Sequence, residues 1–293
     1  MANLYSGRRA KAIQRHMIVD ACRRLTHIAP LSDYQYVGFG GLEFNDFVDF
    51  HNALGISRMT SIEHDTMLTH RVEFNKPYAT VDVRMGEARD ILSQLDWSQL
   101  SITWLDYVDP LTSDALRDVD FVVRSALPGS VLIVTVLAEA GALAGRAAAL
   151  RDNLQEHCPA ELSEEEVKGW GVATVQRGVL QATANSVARE ARKGSFRQQF
   201  NFTYADGARM QTWGGLISAP NVDRVIDGCG FSDLDYVRPG SEALHVRVPD
   251  FTEREWLHFE KSIHSTDRGI PALKGVDRTD VDAFADVYRW KAS

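Results

Sequence analysis

Cysteine is scarce in this chain and its few copies stand far apart. Cys22, Cys158 and Cys229 are the three present among 293 residues, and none is close enough to another to form a paired motif. That usage excludes a disulfide framework or a zinc site and fits reduced thiols in a cytoplasmic protein. No His-x-x-x-His pair or carboxylate triplet appears, so no metal is expected, although Asp106 and Asp109 leave a divalent ion open. Long apolar runs are missing as well. The longest, Val131 to Leu137, is far too short to cross a bilayer, so no membrane association is expected. The N-terminal segment is polar and basic with no apolar stretch, which does not suit a secretory signal. Internal repeats and low-complexity segments are also lacking.

An excess of positive charge is absent. The formal net charge of -8 argues against broad, non-specific binding to nucleic acid. Locally, Arg8, Arg9, Lys11, Arg15, Arg23 and Arg24 make the first helix basic, and the simplest meaning of such a run is a solvated helix face. Hydrophobic content of 44% and charged content of 25% are those of a soluble globular protein. The length suits one domain over 1–293, with an N-terminal helix in 1–30 and a helical cap or insertion over 138–191.

The first half alternates strand and helix. Strands are expected at Tyr34 to Gly38, Arg58 to Glu63, Ala79 to Arg84, Ser101 to Asp106 and Ser130 to Val136. Helices are expected over Arg9 to Thr26, Glu43 to Leu54, Thr66 to Asn75, Ala88 to Leu95 and Asp114 to Leu127, the last capped by Ser113. Repeated β-α units mean a parallel sheet with helices on both faces. Residues from Ala138 to Ala191 then carry helical spacing and little strand signal. Two alternating strands, Ser195 to Tyr204 and Arg209 to Ser218, flank Asp206-Gly207, a strong hairpin signal. Helices near Thr252 to Ser262 and Val281 to Trp290 finish the chain.

Four polar clusters fall at the carboxyl ends of the first four strands, where open parallel sheets bind ligands. They are Gly38-Phe39-Gly40-Gly41, Glu63-His64-Asp65, Gly86-Glu87-Ala88 and Asp106-Tyr107. Glycines allow a tight turn and a close approach of backbone to ligand, and the next helix offers free N–H groups.

Five parallel strands closed by an antiparallel hairpin, with motifs at these positions, resemble the class I S-adenosylmethionine-dependent methyltransferases. Within that superfamily the chain is similar to the prokaryotic proteins described as putative O-methyltransferases. The resemblance implies a Rossmann-like, doubly wound, mostly parallel seven-stranded sheet with a C-terminal antiparallel hairpin. It implies S-adenosylmethionine as cofactor. Gly38, Gly40 and Gly41 would hold its methionine portion, and Glu63 the ribose hydroxyls, with His64 beside it. Gly86, Glu87 and Ala88 would border the adenine, and Asp106 and Tyr107 would lie next to the transferring methyl. Two departures stand out. Tyr36 and Val37 occupy the region where many members carry an acid, and Asp106-Tyr107-Val108-Asp109-Pro110 is unlike the motif of amino methyltransferases. An exocyclic amine is therefore disfavoured as acceptor.

The resulting expectation is O-methylation of a small or macromolecular acceptor, with Asp106 as base or charge stabiliser and the 138–191 segment closing over the site. Three alternatives remain at this point. A non-catalytic scaffold or sensor would bind cofactor without turnover. A nucleic-acid methyltransferase would use the basic first helix. A nicotinamide-dependent dehydrogenase shares the glycine turn and later acid but not the closing hairpin. A homodimer is left open.

Overall fold

The apolar run at 131–137 becomes the strand β5 (Val131–Leu137), buried along nearly its whole length at the centre of the sheet. A run of β-branched and apolar residues with no polar alternation suits a strand covered on both faces. The computed structural model describes residues 8–142, 145–263 and 270–291, so parts of the 1–30 and 138–191 segments lie outside the described residues. The other strands are β1 (Gln35–Gly38), β2 (Arg58–Glu63), β3 (Val81–Met85), β4 (Ser101–Pro110), β6 (Phe196–Asp206), β7 (Ala208–Ile217) and β8 (Leu244–Val246).

Their order is β3-β2-β1-β4-β5-β7-β6-β8. The first five are parallel, and β7 runs antiparallel to both β5 and β6 through the Asp206–Ala208 turn. The sheet thus has eight strands where seven were expected. The extra one, β8, pairs parallel with β6 and is three residues long, too short to leave a periodic signal. Strand order reverses between β1 and β4, and a crevice at such a switch point is where doubly wound sheets take ligands.

Side-chain alternation along the strands divides the core in two. Tyr36, Ile102, Trp104, Phe200 and Phe202 face one layer: α1 (Arg9–Cys22), α2 (Asn45–Leu54), α3 (Thr69–Asn75), α8 (Asp223–Gly228), α9 (Glu253–Ser262) and α10 (Arg278–Val287). Val37, Leu105, Leu132, Val134 and Trp213 face the other: α4 (Ala88–Leu92), α5 (Ser113–Ser125), α6 (Arg146–Leu154) and α7 (Gly171–Glu190). Among the described residues, no helix is long and apolar enough to cross a membrane.

Three local differences matter for the site. The helix α5 starts one residue early because Thr112, not Ser113, accepts the Ala115 N–H. β4 continues past Asp106 to Pro110, with its pairing to β5 shifting register between the two. The helical segment after β5 does not close over Asp106. Its helix α7 packs against α5, β6 and β7, and its buried side chains belong to the layer opposite α1. It is the covering helix of the β5-to-β6 connection, and the expected cap is corrected accordingly.

The face that carries Asp106 is covered instead by α1. This helix has no side-chain cap of its own at Arg8. The Asp206 carboxylate at the hairpin turn substitutes, accepting the N–H of Ala10 at 3.2 Å and of Lys11 at 2.9 Å. A carboxylate on the first free N–H groups of a helix also favours its dipole. Further along, Arg15 pairs with Asp49 of α2, His16 Nδ1 meets the Trp290 carbonyl at 2.8 Å, and the Tyr236 hydroxyl donates to Asp20 at 2.8 Å. A helix expected to present a solvated basic face is bound down by two acids, a carbonyl and a hydroxyl from four other parts of the chain.

Candidate active site at the switch point

The glycine turn after β1 is shaped by what lies under it. A Cβ on Gly40 would come within 2.5 Å of the Phe44 ring and 2.8 Å of Ser61 Oγ, so no other residue fits without displacement. Gly41 has φ +59 and open space around its Cα, a left-handed conformation that leaves its backbone exposed to a ligand. The turn is longer than expected, and α2 begins at Asn45 after a left-handed Phe44 whose ring packs edge-on to Phe47.

Glu63 ends β2 and ties this turn to its strand. Its Oε1 accepts the Gly41 N–H at 2.9 Å and the Ser61 hydroxyl at 2.6 Å, while Ser61 Oγ takes the Gly40 N–H at 3.0 Å. One Glu63 oxygen is therefore already committed to the loop. Gly86 follows β3 with φ +146 and gives its N–H to the Glu63 carbonyl at 2.8 Å. His64 Nδ1 meets Glu87 Oε1 at 3.0 Å across the rim, with both side chains largely in solvent. Ala88 starts α4. The structure thus brings Gly38, Gly40, Gly41, Glu63, Gly86 and the His64–Glu87 pair to the ends of three adjacent strands.

Asp106 and Tyr107 part company. Alternation along β4 sends Asp106 to the α1 face, where Lys11 Nζ binds its Oδ2. Its Oδ1 is buried and has no hydrogen-bond partner among the described residues. Tyr107 points to the other layer, where its hydroxyl donates to Asp118 Oδ2 at 2.8 Å and its ring meets Phe39 edge-on at 5.3 Å. Burial, then the nearby Asp118 charge, push the Tyr107 phenol well above its ordinary value. The structure does not bring Tyr107 to Asp106.

Sequence reading missed Tyr36 and Asp46. The Tyr36 hydroxyl binds Asp46 Oδ2, and its ring lies over Gly38 and stacks on Phe50 at 4.5 Å. Tyr36 holds the position that looked deficient in acid, and Asp46, ten residues later on α2, supplies a carboxylate to it. The signal available was the first-turn acid of α2; nothing in the local spacing ties it to Tyr36. Burial raises the Asp46 carboxyl to about 6; the Tyr36 hydrogen bond opposes this, the nearby Asp106 adds to it, and Arg15 opposes it. Tyr36 is itself pushed well above its ordinary value, first by burial and then by Asp46.

That carboxyl makes stability depend on pH. Folded Asp46 keeps a proton that the unfolded chain, near the ordinary 3.8, has released. Its contribution to stability is therefore present below pH 4 and is lost as pH rises to about 6. With wild type measured against Asp46→Asn by urea denaturation, the difference in unfolding free energy should shift against wild type by on the order of 2 kcal/mol across this window. Parallel pH profiles would show an ordinary carboxyl.

Among the described residues no group of three or more His, Cys, Asp or Glu is arranged to hold a metal ion. The basic residues of α1 are largely paired within the chain, Lys11 with Asp106, Arg15 with Asp49 and Arg9 with Asp250, and just after it Arg24 meets Asp233 and the Cys229 carbonyl.

Three comparisons set the chain against known proteins. A search of curated proteins found no match. Among solved structures, the chain is similar to a putative methyltransferase from Thermobifida fusca, at 20% identity and a TM-score of 0.34 over 50% of this chain and 61% of that one. The chain therefore spans about three fifths of that protein's length. It is also similar to the O-methyltransferase TomG of Streptomyces achromogenes, solved in complex with SAM, at 16% identity and 0.39 over 71% and 88%. Trm1 from Pyrococcus horikoshii, solved with S-adenosyl-L-methionine, matches at 13% identity and 0.45 over 72% and 56%. These are coarse likenesses. The family described as "Putative O-methyltransferase" matches residues 4–291, nearly the whole chain, and the chain belongs to that family.

Proposed function

We propose that this protein binds S-adenosylmethionine at the ends of β1, β2 and β3 and transfers its methyl group to a hydroxyl held beside Asp106. The observation that carries the reading is Asp106 Oδ1, a buried carboxylate oxygen with no hydrogen-bond partner among the described residues, on β4 just past its pairing with the strand that leads into the glycine turn. Family membership supports the methyl-transfer class.

The residues fit such a cofactor. Gly41 exposes its backbone beside the turn, and Glu63 keeps one oxygen free of the loop to accept from the ribose hydroxyls. The Tyr36–Asp46 pair lies over Gly38, where the amino-acid end would sit. When bound, S-adenosylmethionine supplies an electrophilic methyl on a sulfonium. The protein's share is to place the acceptor oxygen in line and relieve it of its proton. Asp106 Oδ1 accepts that proton, while Lys11 on Oδ2 fixes the carboxylate's orientation. Tyr107 holds Phe39 of the glycine turn through its contact on the opposite layer.

Calorimetric titration with S-adenosylhomocysteine tests the reading. Heat and a rise in Tm are expected with this ligand, and none comparable with nicotinamide dinucleotides. Absence of binding would remove the cofactor assignment. Binding with no transfer to any hydroxyl compound would favour a scaffold or sensor.

A further inference from the structure

Beneath α1 the structure leaves polar groups unpaired in a place that proteins seldom tolerate. Gln14 is fully buried, and neither its amide oxygen nor its amide nitrogen has a hydrogen-bond partner among the described residues. It sits three positions after Lys11, one turn along the same buried side of α1. The Tyr204 hydroxyl on β6 is buried too. The Asp106 and Asp206 carboxylates, Arg8 and the Thr212 side chain act on it, and it forms no well-made hydrogen bond among the described residues. Asp106 Oδ1 completes the set. By contrast the floor is satisfied: Thr135 Oγ1 meets Thr212 Oγ1 at 2.8 Å and takes the Trp104 indole N–H at 2.9 Å.

A buried polar group left without a partner is costly to a fold, so such groups mark a place where something else bonds. The unmet needs are specific. Asp106 Oδ1 requires a donor, the Gln14 amide nitrogen and the Tyr204 hydroxyl offer donors, and the Gln14 oxygen can take another. Charge is already matched, since Lys11 faces Asp106 and Arg15 faces Asp49. The cations that face Asp106 and Asp49 are already paired, Arg8 acts on Tyr204 from the start of α1, and an anionic ligand would meet the carboxylates of Asp46 and Asp106. The roof α1 is bound by Asp206, Asp49, Trp290 and Tyr236, so among the described residues the carboxylate lies under a helix held at several points, which suits a small ligand better than a polymer.

Building on the methyl-transfer reading above, we infer that the acceptor is a small uncharged hydroxyl compound bearing a carbonyl or similar acceptor. It is held under α1, with its hydroxyl on Asp106 Oδ1 and its acceptor oxygen on Gln14 and Tyr204. Gln14 is then a specificity-determining residue that does not act on the reacting atoms.

Glycolamide and glycolate test this, because they share a skeleton with a hydroxyl and a carbonyl and differ in charge. Their binding is read by saturation-transfer NMR on protein loaded with S-adenosylhomocysteine. Glycolamide should bind at least tenfold more tightly than glycolate. Gln14→Met should weaken glycolamide at least tenfold, leave S-adenosylhomocysteine affinity unchanged, and keep or raise the Tm of the unliganded protein. Equal or tighter binding of glycolate overturns the inference, as does no saturable binding of either probe. A Gln14→Met variant that binds glycolamide as wild type does, or that loses stability without ligand, overturns it too, the latter by showing a structural amide bridged through water. Failure of S-adenosylhomocysteine to bind would instead strike the cofactor reading, and the Tm of unliganded Gln14→Met still decides whether the amide is unpaired.

Discussion

Asp106→Asn is expected to lower methyl transfer by roughly two to four orders of magnitude, the range a general base contributes, while S-adenosylhomocysteine affinity stays within about threefold. The geometry explains why so small a change should matter. Lys11 binds Oδ2, so an asparagine turns its amide oxygen to that ammonium and presents its NH2 where Oδ1 stood. A buried acceptor becomes a buried donor. The substrate hydroxyl then loses the group that takes its proton, while the shape of the site is kept. Transfer of labelled methyl from S-adenosylmethionine into a pool of small hydroxyl compounds that wild type methylates is the measurement. If cofactor binding collapses along with turnover, Asp106 belongs to the cofactor pocket. Unimpaired turnover would dismiss it as the base.

Much of the fold was legible because strands and turns in this chain carry local signals. The fifth strand, the Asp206-Gly207 turn and the exact extent of β2 each depend on neighbours in sequence, and each stands where expected, the fifth strand one residue later. The capping box at the start of α9, in which Thr252 and Glu255 exchange bonds, is equally local but was missed, the helix being expected to begin at Thr252 itself. The other features that escaped were set by tertiary contact. β8 exists because β6 offers an edge, and α7 became a layer helix because its apolar side met α5 and the hairpin.

The site divides along the same line. The positions of a glycine turn after one strand and an acid at the end of the next are readable, since each follows from its own strand's local signal. The face to which a side chain is sent is harder to read. Adjacent Asp106 and Tyr107 looked like one catalytic pair, yet a strand necessarily separates neighbours onto opposite faces. Lys11, Gln14, Tyr36 and Asp46 reach Asp106's side of the sheet from β1 and two helices. Their sequence separations carry no period, and only the packing of α1 and α2 against β4 and β6 brings them together. The basic stripe of α1 likewise read as a solvated face because its acidic partners lie tens or hundreds of positions away.

The second large effect is expected at Glu63. Glu63→Ala should weaken S-adenosylhomocysteine binding about ten- to a hundredfold, equal to roughly 1.5–3 kcal/mol for lost charge-assisted hydrogen bonds. Two losses contribute. The oxygen left free by the loop no longer meets the ribose hydroxyls, and the Gly41 N–H and Ser61 hydroxyl lose the oxygen that held the glycine turn. Glu63→Gln separates them, because its amide oxygen can keep the Gly41 and Ser61 bonds while the second position becomes an NH2 donor without charge. If the ribose contact dominates, Glu63→Gln falls close to Glu63→Ala in affinity. If the clasp dominates, Glu63→Gln stays close to wild type and Glu63→Ala alone is weak. Titration calorimetry of the three proteins at one salt concentration decides between these, and equal affinity in all three would dissociate Glu63 from the cofactor altogether. The distinction bears on the chemistry because the same turn carries Phe39 and Gly38, which sit between the Tyr107 ring on one layer and the Tyr36–Asp46 pair on the other. A turn released from Glu63 would move against both layers at once, so loss of the clasp should also shift the pH dependence that Asp46 imparts, whereas loss of the ribose contact should leave it in place.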